Sequence, residues 1–295
     1  MAELMTGISQ QHAKLQRQLW QRLLGTYLLL MGIALAMLFP MAWLVGTAFK
    51  SAEENLFRFP PQLWPSQPTL TNFIEVWQQN PFDRYLFNST LVAVLTVVLN
   101  LLFCSLAAYP LARLKFRGRE LILTAIVVTI MIPFQIVMIP LYWLAVQLGL
   151  HQDGVYVAII FPAIASAFGI FLLRQAFQGV PIELEEAARI DGCSELGIWW
   201  HVMIPAVRPA LVTLAIFVFI GSWSDFLWPL ILLGSEVDDR YYTLPLGVAR
   251  LMSSVDLNWR LIAAGSVISI APVLLLFLLV QRYIVPTDSS SGVKG

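Results

Sequence analysis

Long apolar runs separated by shorter polar connections dominate the sequence. A helix needs about 20 mostly apolar residues to cross the hydrocarbon core of a bilayer. Each apolar run is expected to be helical, because the bilayer interior offers no hydrogen-bond partner to bare backbone groups. The pattern therefore predicts an all-α integral membrane protein with six transmembrane helices. Their approximate windows are 24–48, 87–112, 121–144, 154–176, 207–233 and 260–281.

The composition points to the same class. Of the 295 residues, 58% are hydrophobic and 12% are charged, and the mean hydropathy is +0.75. A soluble domain carries about 25% charged residues, and a water-soluble fold of this length could not bury so much apolar surface. The first apolar run lacks a small-residue cleavage site near Leu24–Phe39, which predicts an uncleaved first span. Cys104 and Cys193 fall in a span and in a polar loop, so both are predicted to be free thiols.

The basic residues are distributed unequally between the two sides that six spans define. With both termini on one side, that side holds 12 of the 18 lysines and arginines, including the cluster RLKFRGRE at 113–120. The positive-inside rule then places both termini in the cytoplasm. The expected organisation is a cytoplasmic N-terminal segment (1–23), a permease domain (24–282) and a cytoplasmic tail (283–295). The net charge is zero, so nothing indicates a nucleic-acid partner.

The sequence lacks the common signatures of catalysis. It contains no GxxxxGK[ST] phosphate loop, no HExxH and no GxSxG. His12, His151 and His201 are scattered, so no metal site is predicted. Asp225 is the one acid expected at depth in a span, which is weak support for an ion-coupled carrier. These observations argue against an enzyme.

One long polar insert interrupts the apolar pattern, PIELEEAARIDGCSELGIWWHVMIPAVRPAL at residues 181–211. Pro181 suits the first turn of a helix, in which Glu185 and Arg189 form an i, i+4 pair. Gly192 permits a sharp break, and Ser194 is placed to cap a second short helix. Pro205 and Pro209 would then direct the chain into the fifth span. The sequence predicts a helix–turn–helix at the cytoplasmic membrane surface, with a simple connecting loop as the alternative.

The spacing within this insert resembles the EAA loop of permease subunits of ATP-binding-cassette (ABC) importers, E-A-A-x3-G-x9-I-x-L-P. Here the pattern is Glu186-Ala187-Ala188, then Gly192, then Val202 for Ile, Ile204 for Leu and Pro205. Other segments are similar to the sugar-importer, or carbohydrate-uptake, branch of that family. They are FNSTLVAV, WSDFLWPL, TLPLG, NWRLIAAGSVISIAPVLLLFLLVQRYIV and GVKG. Ser224 departs from this branch, which commonly has Asn at that position.

The resemblance implies a type I ABC importer permease whose coupling helix, in a loop at about 177–206, docks on a separate ATPase. The implied activity is import of a sugar or sugar-like solute by alternating access in a bacterial inner membrane. The implied partners are a second homologous permease, two ATPase subunits that bind ATP and Mg, and an extracytoplasmic solute-binding protein. The implied coupling residues are Glu185, Glu186, Ala187, Ala188, Arg189, Asp191, Gly192, Ile204 and Pro205.

A pathway for a polyhydroxylated solute needs hydroxyl, amide and aromatic groups. The candidates are Gln135, Ser166, Ser222, Trp223, Ser224, Asp225, Ser266 and Ser269. Each has an alternative role, since small polar residues serve helix packing and tryptophans anchor at membrane interfaces. Kinks or hinges are expected at Pro133, Pro140, Pro162 and Pro272.

The outer loop 234–259 offers acids and aromatics to a solute-binding protein, although it could equally be a connector packed on the partner permease. Its acids are Glu236, Asp238, Asp239 and Asp256. The other long outer segment, 49–85, has the composition of an ordered surface loop. Two rival functions remain: a stand-alone secondary carrier for a small polar solute, and a membrane enzyme or assembly factor. Neither accounts for the spacing of the insert.

Overall fold

The computed structural model describes residues 2–60, 62–152, 154–234, 239–252 and 257–284, and within these ranges the regular structure is helical and contains no strand. The helices are α1 (Ala2–Ala48), α2 (Thr71–Gln79), α3 (Phe82–Arg113), α4 (Arg119–Val128), α5 (Phe134–Gln147), α6 (Val155–Ile160), α7 (Ala167–Gln178), α8 (Ile182–Ile190), α9 (Glu195–Ile198), α10 (Ile204–Ala206), α11 (Arg208–Trp223), α12 (Leu227–Leu233), α13 (Leu244–Leu251) and α14 (Trp259–Ile284). Short 3₁₀ turns occupy Thr129–Met131, Phe161–Ala163 and Asp239–Tyr241, and a π-helical turn occupies Trp199–Met203.

Three helical segments are long and apolar enough to cross a membrane without interruption: Trp20–Ala48, Phe82–Arg113 and Trp259–Gln281. Three further helix pairs meet that condition only together, because each is bent at a short break. The bends are 98° between Arg119–Met131 and Phe134–Gln147, 47° between Val155–Ala163 and Ala167–Gln178, and 82° between Glu195–Ala206 and Arg208–Trp223. Counting each bent pair as one span gives up to six spans, as many as the apolar windows of the sequence, although the third pair begins within the polar insert and not at residue 207.

Proline accounts for the sharpest of these bends. Ile132, directly before Pro133, has φ −86° and ψ 115°, because the proline ring disfavours the helical region for the residue that precedes it. Pro209 occupies the first turn of α11, where its missing N–H costs nothing. Pro140 and Pro272, by contrast, lie inside continuous helices. The hinges expected there therefore do not end a helix.

The fifth apolar window, 207–233, is not a single helix, which corrects the sequence-based expectation. Helix α11 ends at Trp223 and α12 begins at Leu227. A continuous helix would need an N–H at Pro229 to bond the Asp225 carbonyl, and proline has none. Asp225 instead caps the new helix, as its Oδ1 accepts from the Trp228 N–H over 3.4 Å.

The described residues belong to two compact units. The first comprises Met1–Glu75 and Trp259–Val267. In it, Lys50 is 1% exposed, donates to the Gln62 carbonyl over 2.6 Å and lies over the Trp43 ring. The Asn72 amide donates to the Ala48 and Lys50 carbonyls, both over 2.8 Å. These buried contacts confirm that the start of the 49–85 segment is ordered.

The second unit comprises Val76–Asn258 and Ile268–Gly295, and α3 is its central helix. Helices α7 and α11 pack along α3, and Gly169 permits the close approach. A Cβ at Gly169 would lie 2.9 Å from Cys104 Sγ and 3.2 Å from Leu214 Cδ2. Cys104 is buried, Cys193 is exposed, and both are free thiols as predicted.

Residues 239–252 of the outer loop are bound to the start of α3 by hydrogen bonds. The Asn88 amide donates to the Arg240 and Tyr242 carbonyls over 2.8 and 2.9 Å and accepts from Tyr156 Oη over 2.7 Å. Asp239 forms an ion pair with Arg250 at 3.4 Å. The other acids proposed for partner contact, Glu236, Asp238 and Asp256, lie outside the described residues.

Candidate functional site

The polar insert begins with helix α8, whose two ends follow local sequence signals. Pro181 has an extended conformation and immediately precedes the helix. Gly192, at φ +82°, ends it in a Schellman motif: the Gly192 N–H bonds the Arg189 carbonyl over 3.1 Å, and the Cys193 N–H bonds the Ala188 carbonyl over 2.9 Å. An L-residue other than glycine is strained at this φ.

The second half of the insert is also helical, as the sequence predicts. Ser194 caps α9, since its Oγ accepts from the Gly197 N–H over 3.2 Å. The chain continues through the π-helical turn into α10, which contains Pro205, and then bends at Val207 into α11. The helix–turn–helix prediction is confirmed.

One acid of the insert, Glu185, is turned inward. Glu185 is 2% exposed, and its Oε1 lies 2.6 Å from the Nε of Arg113 in the last turn of α3. The two atoms are not aligned for a hydrogen bond, so the contact is an ion pair. Arg113 also donates from Nη2 to the Val180 carbonyl. The other oxygen of Glu185 lies 3.5 Å from Arg189 Nη2, so the predicted i, i+4 pair is confirmed.

A second set of polar contacts joins α9 to the same helices. Arg189 donates from Nε and Nη2 to the two Glu195 oxygens over 3.1 and 3.3 Å. Tyr109 Oη donates to Glu195 Oε2 over 2.7 Å. Tyr109 lies one turn before Arg113 on α3. The ends of α3, α8 and α9 are therefore tied together by a connected set of charged and hydroxyl groups.

The insert has two different faces. On the inner face, Ala188, Ile198, Trp199 and Met203 are buried in one apolar cluster with residues of α3 and α7, among them Leu173 and Phe177. Ile204 packs against the edge of that cluster. On the outer face, five large apolar side chains are exposed: Ile182, Leu184, Ile190, Leu196 and Trp200. Glu186, Ala187, Asp191, Gly192 and Pro205 are exposed as well.

A separate cavity of about 220 Å³ lies within the helices of the second unit. Three predicted pathway residues, Ser166, Ser222 and Asp225, line it together. Thr96, Asn100 and Thr243 add further polar groups, and the remaining lining residues are apolar apart from Gly221. Hydroxyl and amide groups with one carboxylate suit hydrogen bonds to a polyhydroxylated solute.

The other predicted pathway residues lie elsewhere. Trp223 is buried, and its indole N–H donates to the Ser269 carbonyl over 3.0 Å, joining α11 to α14. The indole has a single donor, and this contact already uses it, so Trp223 has no donor left for a solute. The contact therefore fits a packing role for both residues. Gln135 and Ser224 are exposed and do not line the cavity. Ser266 donates to the Ile262 carbonyl within its own helix.

Comparisons with known proteins place these features in one family. The family described as binding-protein-dependent transport system inner membrane component matches residues 100–287. The chain belongs to this family. It is 38% identical over 265 residues to the arabinooligosaccharides transport system permease protein AraQ of Halalkalibacterium halodurans, covering 89% of this chain and 93% of that protein. It is 34% identical to AraQ of Bacillus subtilis, covering 91% and 94%.

A solved structure has the same fold. It is the crystal structure of a bacterial ABC transporter involved in the import of the acidic polysaccharide alginate. One of its chains matches with a TM-score of 0.77 and 25% identity, over 89% of this chain and 96% of that chain. The resemblance to ABC sugar-importer permeases, made from the sequence, is confirmed, as is the all-helical fold class. The chain is therefore a membrane permease of this family.

In this permease, sequence reasoning missed the polar groups that α3 contributes to the cavity. Asn100 is 1% exposed and donates to the Ala163 carbonyl over 2.8 Å and to Ser166 Oγ over 3.4 Å. Thr96, one turn earlier, is equally buried. The available signal was a lone amide within the apolar run VVLNLLF, because a buried amide in a span needs partners and marks a site of close contact.

Proposed function

We propose that this permease is the transmembrane subunit of an ATP-driven importer that carries a sugar or sugar-like solute into the cytoplasm by alternating access. The observation that carries the proposal is the two-faced insert. Its inner face is buried against α3 and α7, while its outer face exposes Ile182, Ile190 and Trp200. Monomeric proteins rarely leave such groups uncovered, and an exposed apolar patch rimmed by charge fits a protein partner.

In this proposal the partner on the outer face is an ATPase subunit. Glu186, Ala187 and Asp191 would meet it directly, with Gly192 setting the angle at which α8 is presented. Glu185, Ala188, Arg189 and Ile204 would instead hold the loop on the spans, since they pair with or pack against the permease itself. Pro205 would orient the chain as it enters α11. The coupling loop of the proposal extends over about 177–206.

The assembly would contain this chain, a second homologous permease, two ATPase subunits and an extracytoplasmic solute-binding protein. ATP and Mg would be bound by the ATPase subunits and hydrolysed there, so that this chain contributes no catalysis. It would lie among the lipids of a bacterial inner membrane, with 1–23 and 283–295 in the cytoplasm around the permease domain 24–282. The placement rests on the excess of lysine and arginine on that side of the chain.

The solute of the proposal is an oligosaccharide. Two relatives are named for arabinooligosaccharide transport, and the structural neighbour for import of the polysaccharide alginate. The cavity of about 220 Å³ is smaller than the roughly 300–1,000 Å³ of sites that enclose a drug-sized ligand. This chain would therefore hold only part of an oligosaccharide, and the second permease would supply the rest of the pathway.

Reconstitution of the assembled complex in proteoliposomes tests the proposal. Radiolabelled arabinotriose and an alginate trisaccharide are the probes, with the solute-binding protein added outside and Mg-ATP enclosed. Accumulation of a probe that requires both ATP and the binding protein is expected. Uptake by this chain without ATPase subunits, driven by an ion gradient, would establish a secondary carrier and overturn the proposal.

A further inference from the structure

Glu185 differs from the other acids of α8 in what it contacts. Glu183 and Glu186 are exposed, whereas Glu185 is 2% exposed and lies against Arg113 at the end of α3. A side chain in this position cannot reach a protein that docks on the outer face of the insert. Burying the charged carboxylate of Glu185 is nevertheless costly, and its ion pair with α3 offsets part of that cost. The role of this ion pair therefore needs an explanation.

The contacts around Glu185 form two links between the insert and α3. The first link is Glu185 with Arg113, which also donates to the Val180 carbonyl just before α8. The second link is Tyr109 Oη with Glu195, one turn earlier on α3 and on the following short helix of the insert. Arg189 contacts both acids, at 3.5 Å from Glu185 and 3.1 Å from Glu195. The insert is therefore held at two points along α3, by both of its helices.

Two such links restrain relative motion in a way that apolar packing does not. Apolar contact is non-directional, so packed helices can slide by small steps. The Glu185–Arg113 ion pair depends on the distance between the two charges, and the Tyr109–Glu195 hydrogen bond depends on distance and angle. Because the two links lie on successive turns of α3, together they resist both sliding and rotation. Helix α3 also carries Thr96 and Asn100 into the cavity and packs on α7 and α11. A displacement of the end of α3 would therefore also shift the polar groups that α3 contributes to the candidate solute site.

We infer that the Glu185–Arg113 and Glu195–Tyr109 links make α8, α9 and α3 move as one body, so that Glu185 and Glu195 are positioning residues, and the buried Glu185 does not bind the ATPase. The inference rests on the proposed function, because it needs an ATPase to displace the insert. It adds the element that receives the displacement and the side chains that transmit it.

Spin labels on the assembled complex in nanodiscs test this inference without knowledge of the solute. One label is placed on the native exposed Cys193, and the other on a Phe103→Cys variant, which is exposed on α3. Distances are measured without nucleotide and after trapping with Mg-ATP and vanadate. We expect one narrow distance distribution that is the same in both states, because the two labelled elements move together.

In the same labelled background, Glu185→Gln is expected to broaden the distribution and to make it change on trapping. Glu183→Gln, an exposed acid on the same helix, is the matched control and should leave the distribution narrow. Tyr109→Phe removes only one hydroxyl, so it should assemble even where Glu185→Gln does not, and it is expected to give a smaller broadening. A narrow, unchanged distribution in every variant that assembles would overturn the inference, as would a wild-type distance that changes on trapping.

The readouts separate this inference from the proposed function. If the unmodified chain recruits no ATPase and traps no vanadate, the proposed function fails. The inference about the two links then fails as well, because no ATPase displaces the insert. If trapping is normal but Glu185→Gln and Tyr109→Phe behave as wild type, only the links are refuted. Normal trapping with a broadened distribution in Glu185→Gln supports both.

Discussion

Gly247 of α13 lies directly against the ring of Tyr85 in α3. A Cβ at Gly247 would overlap the ring, at 2.7 Å from Cε2 and closer still to Cδ2. Tyr85 is 1% exposed and is enclosed by Phe82 and Tyr242 at ring-centroid distances of 5.6 and 5.9 Å. The glycine thus allows the outer segment to pack against the start of the central helix.

Gly247→Ala is therefore expected to destabilise the second unit by about 1–3 kcal/mol, the usual cost of inserting a methyl group into a filled core. Alanine favours a helix by about 1 kcal/mol over glycine, but the enclosed Tyr85 ring cannot move aside. The measurement is the thermal unfolding of the purified complex. Gly221→Ala is the control, because nothing lies within 4 Å of a Cβ there. Equal melting temperatures for the two variants would contradict the packing argument.

Gly192→Ala tests the turn that ends α8 and, with it, the proposed docking of the insert on an ATPase. Nothing lies within 4 Å of a Cβ at Gly192, so the effect comes only from its φ of +82°. The strain of about 1 kcal/mol should reduce ATPase co-purification by about fivefold, while membrane insertion is unaffected. Gly197→Ala is the matched control in the same loop, since its Cβ would be in ordinary contact, 3.4 Å from Ser194 Oγ. Greater loss in Gly197→Ala than in Gly192→Ala would count against the role of the turn.

The loop after α1 should loosen in acid through Glu54. Burial acts to raise the pKa of the Glu54 carboxyl, but hydrogen bonds from the Ser66, Gln67 and Ser51 N–H groups outweigh it and hold that pKa below its ordinary value. A lowered folded-state pKa gives stability that is complete above the unfolded value, about 4.3, and is lost as pH falls through the folded value. Hydrogen exchange at Ser66 and Gln67 is the measurement.

Protection of these two amides is expected to be constant at neutral pH and to fall as the solution is acidified below the ordinary carboxyl range. Glu54→Gln should lower the protection at neutral pH and remove its pH dependence. Glu53→Gln changes the neighbouring exposed acid and should behave as the unmodified chain. Persistence of the pH dependence in Glu54→Gln would assign it to another group.

Asp225→Asn distinguishes transport of a neutral solute from transport that needs the Asp225 carboxylate to bind a charged ligand or a coupling ion. Asparagine retains the oxygen that accepts from the Trp228 N–H, so α12 should keep its cap and the complex should assemble. The expected result is substantial ATP-dependent uptake of arabinotriose in proteoliposomes. Total loss of uptake from an intact complex would indicate a charged ligand or ion coupling at this carboxylate.

The parts of the fold that sequence could predict are those set by local patterns. The spans follow from runs of apolar residues, and the ends of α8 follow from Pro181 and Gly192. The residues that line the candidate pathway are harder to predict, because Asn100, Ser166 and Asp225 come together from three segments that are distant in the sequence. Which face of a helix points inward depends on the bends before it, and angles of 98° and 82° cannot be read from the presence of a proline. The sequence alone therefore does not distinguish Gln135 and Ser224, which do not line the cavity, from Asn100, which does.

The buried Glu185 could not be distinguished from Glu186 by sequence. The two are adjacent on a short helix, and their different exposures depend on how α8 rests on α3. Arg113, 72 positions earlier, pairs with Glu185 in the structure, but in the sequence it is only one of the basic residues of the RLKFRGRE cluster.

Cross-linking from Cys193 tests whether the insert docks on an ATPase subunit. This thiol is exposed in the turn between α8 and α9, while Cys104 is buried, so a photoactivatable maleimide can be attached to Cys193 in the unaltered chain. After illumination of inside-out membrane vesicles that contain the whole complex, we expect a covalent product with an ATPase subunit. Labelling of Cys193 by a membrane-impermeant maleimide from the outer side of intact cells, with no ATPase product, would contradict it.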